Sequence, residues 1–257
     1  MKLTFLGTGT SYGVPYIACD CAVCTSTNPR NKRLRCSILV EQGPLRVLVD
    51  TTPDLRHQFL RAGISKIDFV FWTHLHNDHV IGLDDLRPIT DRHGYIDGYA
   101  NQETLHHLKK IFDYVFVEDR NHGGFPRVRG HELKNFQTVE LPNLKVTPIP
   151  IQHYKREIFA YKFQTRSSTL IYSTDCSHIS NESKNAMRNA DVLVLDALRH
   201  DEHPAHFNIA QALEIVAELK PKRALFTHIA HDLDHETTNA ELPPGVELAY
   251  DGLEIEL

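Results

Sequence analysis

Short apolar runs recur along the whole chain, at residues 3–6, 37–40, 46–49, 69–72, 146–151, 159–163, 170–172, 192–195 and 224–226. Their length and their share of Val, Ile, Leu and aromatic residues predict strands. Helical spacing at Ile209, Leu213, Val216 and Ala217 predicts a helix over 209–219, and shorter helices are expected over 53–62, 102–112 and 182–188. The first part of the chain is strand-rich with short helices, whereas strands and helices alternate later. No repeat, low-complexity tract or linker interrupts this pattern, so a single α/β (α+β) domain of two sheets covered by helices is expected over residues 1–257.

The strands end on polar donors. Residues 46–49 run into Asp50, 169–174 into Asp175, 192–195 into Asp196, 224–227 into His228, and 69–72 into Thr73 and the hexapeptide His74-Leu75-His76-Asn77-Asp78-His79. A lone aspartate after a strand is commonly a cap or turn former, and Asp50 and Asp196 each admit that reading. The hexapeptide does not, because imidazole and carboxylate are preferred donors to zinc. In an extended segment His74 and His76 project to one face while Leu75 points back. Asp78 and His79 follow as the chain turns, and donors bent around a corner suit two metals better than one.

Composition adds limits. The chain has 257 residues, 41% of them hydrophobic, enough for a sizeable core. Its net charge of −5 gives no global reason to bind nucleic acid or an anionic membrane. Residues 1–7 are too quickly interrupted by polar groups to read as a signal peptide, and no apolar run approaches the roughly 20 residues of a membrane span. A soluble, cytoplasmic protein is expected. Of five cysteines, Cys19, Cys21 and Cys24 lie within six residues, with Cys36 and Cys176 apart. Clustered thiols in a reducing compartment point to metal rather than to disulfides. Gly7-Thr8-Gly9-Thr10 follows the first strand but lacks the Lys-Ser/Thr of a phosphate loop, and reads as a tight turn lining a cleft.

His74-x-His76-x-Asp78-His79, followed by His153, by Tyr172-Ser173-Thr174-Asp175 and by Phe226-Thr227-His228, resembles the metallo-β-lactamase superfamily over almost the whole chain. The resemblance implies a four-layer αββα sandwich binding divalent transition metals: zinc, manganese or iron. It implies that His74, His76 and His153 hold one metal, that Asp78, His79 and His228 hold a second, and that Asp175 bridges them. His57, His93, His106, His107, His122 and His131 read as ordinary surface groups.

The segments Phe5-Leu6-Gly7-Thr8-Gly9-Thr10-Ser11, Gly13-Val14-Pro15, Cys19-x-Cys21-x-x-Cys24 and 28–35 are similar to the PhnP-type phosphodiesterase branch of that superfamily. That branch carries a structural zinc, which here implies Cys19, Cys21, Cys24 and His231 as its ligands, with the zinc-binding loop at about 15–35. Cys3His is a closed set with no open position for chemistry. Near residue 206 the phosphodiesterase and tRNA 3′-processing branches place a histidine that protonates the leaving oxygen. His206 aligns best, with His200 and His203 as alternatives.

Two divalent ions set against Asp78, Asp175 and a bridging hydroxide leave about +1 at the cleft floor, which favours an anionic substrate. The expected function is hydrolysis of a small phosphodiester, cyclic or linear, by that hydroxide. The near alternative is a tRNA 3′-processing endonuclease, but only 21 residues separate His153 from Asp175, little room for a tRNA-clamping arm. Thiol-ester or lactone hydrolysis shares the ligand set, and a non-catalytic metal-binding regulator is the non-enzyme alternative. A homodimer is expected from the resemblance alone.

Overall fold

Alternation along the strands decides which side chains meet between two sheets. The computed structural model describes residues 1–116 and 124–257, so His122 lies outside the described residues. The first sheet contains β1 (Lys2–Gly7), β2 (Ser37–Gln42), β3 (Leu45–Val49), β4 (Phe69–Phe71), β5 (Ile96–Ala100) and β6 (Val128–Glu132). The second contains β7 (Val139–Leu141), β8 (Leu144–His153), β9 (Arg156–Gln164), β10 (Thr169–Ser173), β11 (Val192–Asp196), β12 (Arg223–Thr227) and β13 (Val246–Leu248). The last strand, β14 (Glu254–Glu256), returns to the first sheet beside β1.

Both sheets follow one plan. β1, β2 and β3 pair antiparallel, and β3 through β6 pair parallel. Likewise β7 through β10 are antiparallel and β10 through β13 parallel. Parallel neighbours need crossovers, which place helices on the outer faces. The helices are α1 (Ala22–Thr25), α2 (Leu55–Ala62), α3 (Asn77–Val80), α4 (Arg87–His93), α5 (Gln102–Ile111), α6 (Asn181–Met187), α7 (Ile209–Leu219) and α8 (His235–Glu241).

Odd-numbered positions of β3 and β4 and even-numbered positions of β10 and β11 face inward: Val47, Val49 and Phe71 share a core with Leu170, Tyr172, Val192 and Val194. Their neighbours face outward. Leu48, Val70 and Trp72 pack with Leu55, Phe59, Leu83 and Leu105 on one side, and Ile171, Leu193 and Phe226 with Met187, Ala212 and Leu219 on the other. The layers are therefore helix, sheet, sheet, helix, in one domain covering the chain, as the sequence implied.

The strands that carry no apolar run in the sequence are short or exposed. Gly98 in β5 has no Cβ because one would lie 2.5 Å from the Trp72 ring, and β6 is largely exposed. β8 runs further than the 146–151 pattern, ending on His153. β7 covers only its first residues, so beyond Val146 it is a sheet edge, and Pro148 and Pro150 fall there without costing ladder bonds. Among the described residues no helix is long and apolar enough to cross a membrane.

Candidate metal centre

The parallel strands of both sheets open at one end, and the donors gather there. Three of the strand-end residues, Asp50, Asp175 and His228, have left-handed backbones, with φ of 64°, 53° and 60°. Such conformations cost energy in non-glycine residues and survive where the surroundings impose them, commonly at functional sites. Here each one turns a side chain off the end of its strand toward the histidine cluster, Asp50 from behind His79.

β4 ends at Phe71, and the following residues tie the two sheets together. The Tyr161 hydroxyl donates to the Trp72 carbonyl at 2.7 Å, and the Phe159 amide to the Thr73 carbonyl at 3.1 Å. Asp50 accepts from the Thr73 amide and hydroxyl, both at 2.8 Å, and lies 2.7 Å from His79 Nδ1. The Thr73 hydroxyl has one proton and gives it to Asp50, so at 3.0 Å it accepts from His74 Nδ1. His153 Nδ1 donates to the Ala205 carbonyl at 2.9 Å. In all three imidazoles the Nδ1 proton is engaged and Nε2 is left for something else.

A cation would fill that role. His74 Nε2, His79 Nε2 and both ring nitrogens of His228 are buried without a hydrogen-bond partner, an expensive state for polar atoms. Donor atoms of His74, His76 and His153 lie within 4.8 Å of one another, as do those of Asp78, His79, Asp175 and His228. Asp175 also falls within that span of His153 and His206, which puts it between the two groups. Its two oxygens lie 3.2 Å from His79 Nε2 and 3.2 Å from His228 Nε2.

The electrostatics agree. Burial and the neighbouring imidazoles hold His74 well below its ordinary pKa, keeping its lone pair free. Burial disfavours a charged His79, yet Asp175, Asp78 and Asp50 outweigh it and drive its pKa far up. Three carboxylates around one imidazole want positive charge, and divalent ions on these donors would supply it.

His206 comes to the same cleft. Its ring stacks on His228 with centroids 4.6 Å apart and lies 4.8 Å from that of His153. Asp196, held by the Cys176 amide at 2.7 Å, accepts from His206 Nδ1 at 2.8 Å. Burial would lower this histidine, but Asp196 outweighs burial and holds it up to about 9. The placement follows from the chain beside it: Phe207 pairs with Cys176 and Leu198, and Asn208 with Gln211 forms the capping box that starts α7. His203 accepts from the Ala205 amide next to it, and exposed His200 gives only its carbonyl, to Asn208. Neither reaches the donor groups.

The thiols form a second cluster. Sγ of Cys19, Cys21 and Cys24 lies 3.2, 3.6 and 3.5 Å from His231 Nδ1. Tetrahedral zinc at ordinary Zn–S and Zn–N lengths sets its sulfur and nitrogen ligands about 3.6 Å apart, so the donor set fits. The Cys24 amide lowers the Cys21 thiol to about 7, whereas burial pushes Cys24 up to about 11, a cost that a cation would offset. Tyr16 stacks on His231 at 3.9 Å.

The glycine-rich start is not an open phosphate cradle. The Gly9 amide donates to Leu34, that of Thr10 to Ile229 and that of Gly13 to Thr10, so the segment turns tightly at 10–13 and braces the loop after β12. Asp50, Asp196 and Thr73 are the supporting residues that pattern reading left undecided or missed; the clue was their place at strand ends beside the histidines. Of the histidines read as surface groups, His57, His93, His106 and His131 are exposed and His107 is half-buried.

Two layered sheets with metal donors at one open end define a class of metallohydrolase. The model of the Beta-lactamase superfamily domain matches residues 45–229, and the chain belongs to that superfamily. Within it the chain is of PhnP type: the crystal structure of a diphosphatase from the PhnP family superposes with a TM-score of 0.91 at 44% identity, covering 99% of this chain and 96% of that one. The octanoyltransferase of Porphyromonas gingivalis (strain ATCC BAA-308 / W83) is 35% identical over 257 residues, 99% of this chain but 51% of that protein, so the chain spans about half its length. The ribonuclease Z of Archaeoglobus fulgidus is 23% identical, over 89% of this chain and 87% of its own length. The superfamily and the diphosphatase neighbour support a metal-dependent hydrolase.

Proposed function

We propose that the chain is a two-metal phosphodiesterase acting on a small phosphodiester. His74, His76 and His153 would hold one divalent ion, Asp78, His79 and His228 the other, with Asp175 between them. The observation that carries this reading is the position of Asp175, whose carboxylate faces His79 and His228 and also lies within 4.8 Å of the His153 donor. When bound, such ions supply Lewis acidity and an activated water nucleophile at neutral pH.

The remaining steps belong to side chains of this chain. Asp50 and Thr73 orient His79 and His74 so that Nε2 of each faces the donor groups. His206, anchored through Nδ1 to Asp196, keeps Nε2 to protonate the departing alkoxide oxygen. Cys19, Cys21, Cys24 and His231, on and beside the 15–35 loop, would hold a structural zinc that takes no part in the reaction. Thiols kept free for it fit a cytoplasmic setting.

A second reading, tRNA 3′-end cleavage, is favoured by the ribonuclease Z relative and opposed by the net charge of −5. The test is turnover by metal-reconstituted protein of bis(p-nitrophenyl) phosphate, a 3′-extended tRNA and an S-acyl thioester. Hydrolysis of the small phosphodiester well above the other two is expected. No phosphodiester turnover with zinc, manganese or iron would sink the proposal.

A further inference from the structure

His76 and His153 line a cavity of about 700 Å³ together with the β8–β9 turn and the start of α5. His153 pairs with Arg156, so only Tyr154 and Lys155 form that turn. Tyr154 has φ of 55°. The first position of a two-residue hairpin with positive φ normally goes to Gly, Asn or Asp, and a bulky residue there is strained. Core packing does not repay the strain, because Tyr154 is 58% exposed. Its amide is fixed by Ser177 Oγ at 3.0 Å, which holds the turn in place.

The charges along this cavity are divided. Arg156 is paired with Glu103 on the first turn of α5, whereas Lys155 pairs with no carboxylate among the described residues and its Nζ lies 5.3 Å from the Tyr154 ring centre. An exposed tyrosine with a cation beside it, next to a phosphodiester site, suits a planar ring carried on a sugar phosphate: the ring stacks on the tyrosine and the lysine meets negative charge.

We propose that Tyr154 and Lys155 form a specificity subsite that takes the base of a nucleoside on the side of the phosphate that does not leave. This rests on the phosphodiesterase reading for its role in turnover, but not for binding. The test is therefore run twice. In the kinetic arm, a nucleoside 5′-(p-nitrophenyl) phosphate is compared with methyl p-nitrophenyl phosphate, which has the same leaving group. Tyr154→Gly, which also relieves the turn, should lower kcat/KM for the nucleoside ester about tenfold, chiefly through KM, and leave the methyl ester unchanged; Tyr154→Phe should retain the preference. An equal effect on both esters, or none, overturns the subsite.

In the equilibrium arm, metal-loaded protein is titrated with adenosine 5′-monophosphate and with ribose 5-phosphate. Wild type should bind the nucleotide more tightly, and Tyr154→Gly should lose that margin. Equal affinity for the two ligands, or binding of neither, overturns the subsite. A margin here without turnover in the kinetic arm would contradict the phosphodiesterase reading alone.

Discussion

The cleft and the thiol cluster are built from opposite materials although they meet on one short stretch of chain. The cleft donors stand at or just beyond strand ends of both sheets, and three of them are oriented by a further group: Asp50 and Thr73 behind His79 and His74, the Ala205 carbonyl behind His153. The thiols lie on a loop and a single-turn helix, and four donors converge on one point with none left over. An open, externally oriented set suits chemistry, whereas a closed set suits anchoring. Ile229 joins the two, since its amide and carbonyl pair with Thr8 and Thr10 between His228 and His231.

The sharpest break in that contrast is expected from Asp175→Asn. It removes the charge that faces both donor groups, and kcat/KM for a phosphodiester should fall by more than about 10³-fold with the fold retained by circular dichroism. A loss under tenfold would mean that the cleft does not work as a joined pair of sites.

His206→Ala is expected to cost about 10²-fold, and only when the leaving group needs a proton. With an alkyl leaving group the loss should be full; with p-nitrophenolate it should be slight. Equal losses on both would remove the general-acid role and leave His206 a packing partner of His228.

The smallest chemical effect is expected on the thiol side. Cys21→Ser should release one metal per chain by elemental analysis and lower the Tm by several degrees, while kcat/KM stays within about threefold. Unchanged metal content would contradict the structural site, and a collapse of activity at unchanged Tm would contradict its separation from catalysis.

How far the amino-acid sequence could be read follows from the same physics. Inward and outward alternation in residues 47–49, 69–72, 170–172 and 192–195 gave continuous apolar runs because both faces are covered, so these strands stood out. β5, β6, β7, β13 and β14 did not, being short, exposed on one face or interrupted by Gly98 or Gly130. The histidine cluster was legible because so many donors in six positions have no bland explanation. Asp50 and Asp196 were not, since an aspartate after a strand caps turns just as often, and only the fold brings Nδ1 of His79 and of His206 within 2.8 Å of them. Tyr154 was silent for a similar reason: its left-handed backbone is set by the closing of a two-residue turn, which the residue type itself argues against.

The central claim, that the cleft works as a two-metal phosphodiesterase, is met most directly by titrating metal-free Cys21→Ser protein with Mn(II) while following bis(p-nitrophenyl) phosphate hydrolysis. With the thiol site disabled, activity should climb until two equivalents per chain are bound and then level off. Full activity at one equivalent, or none at any loading, would contradict it.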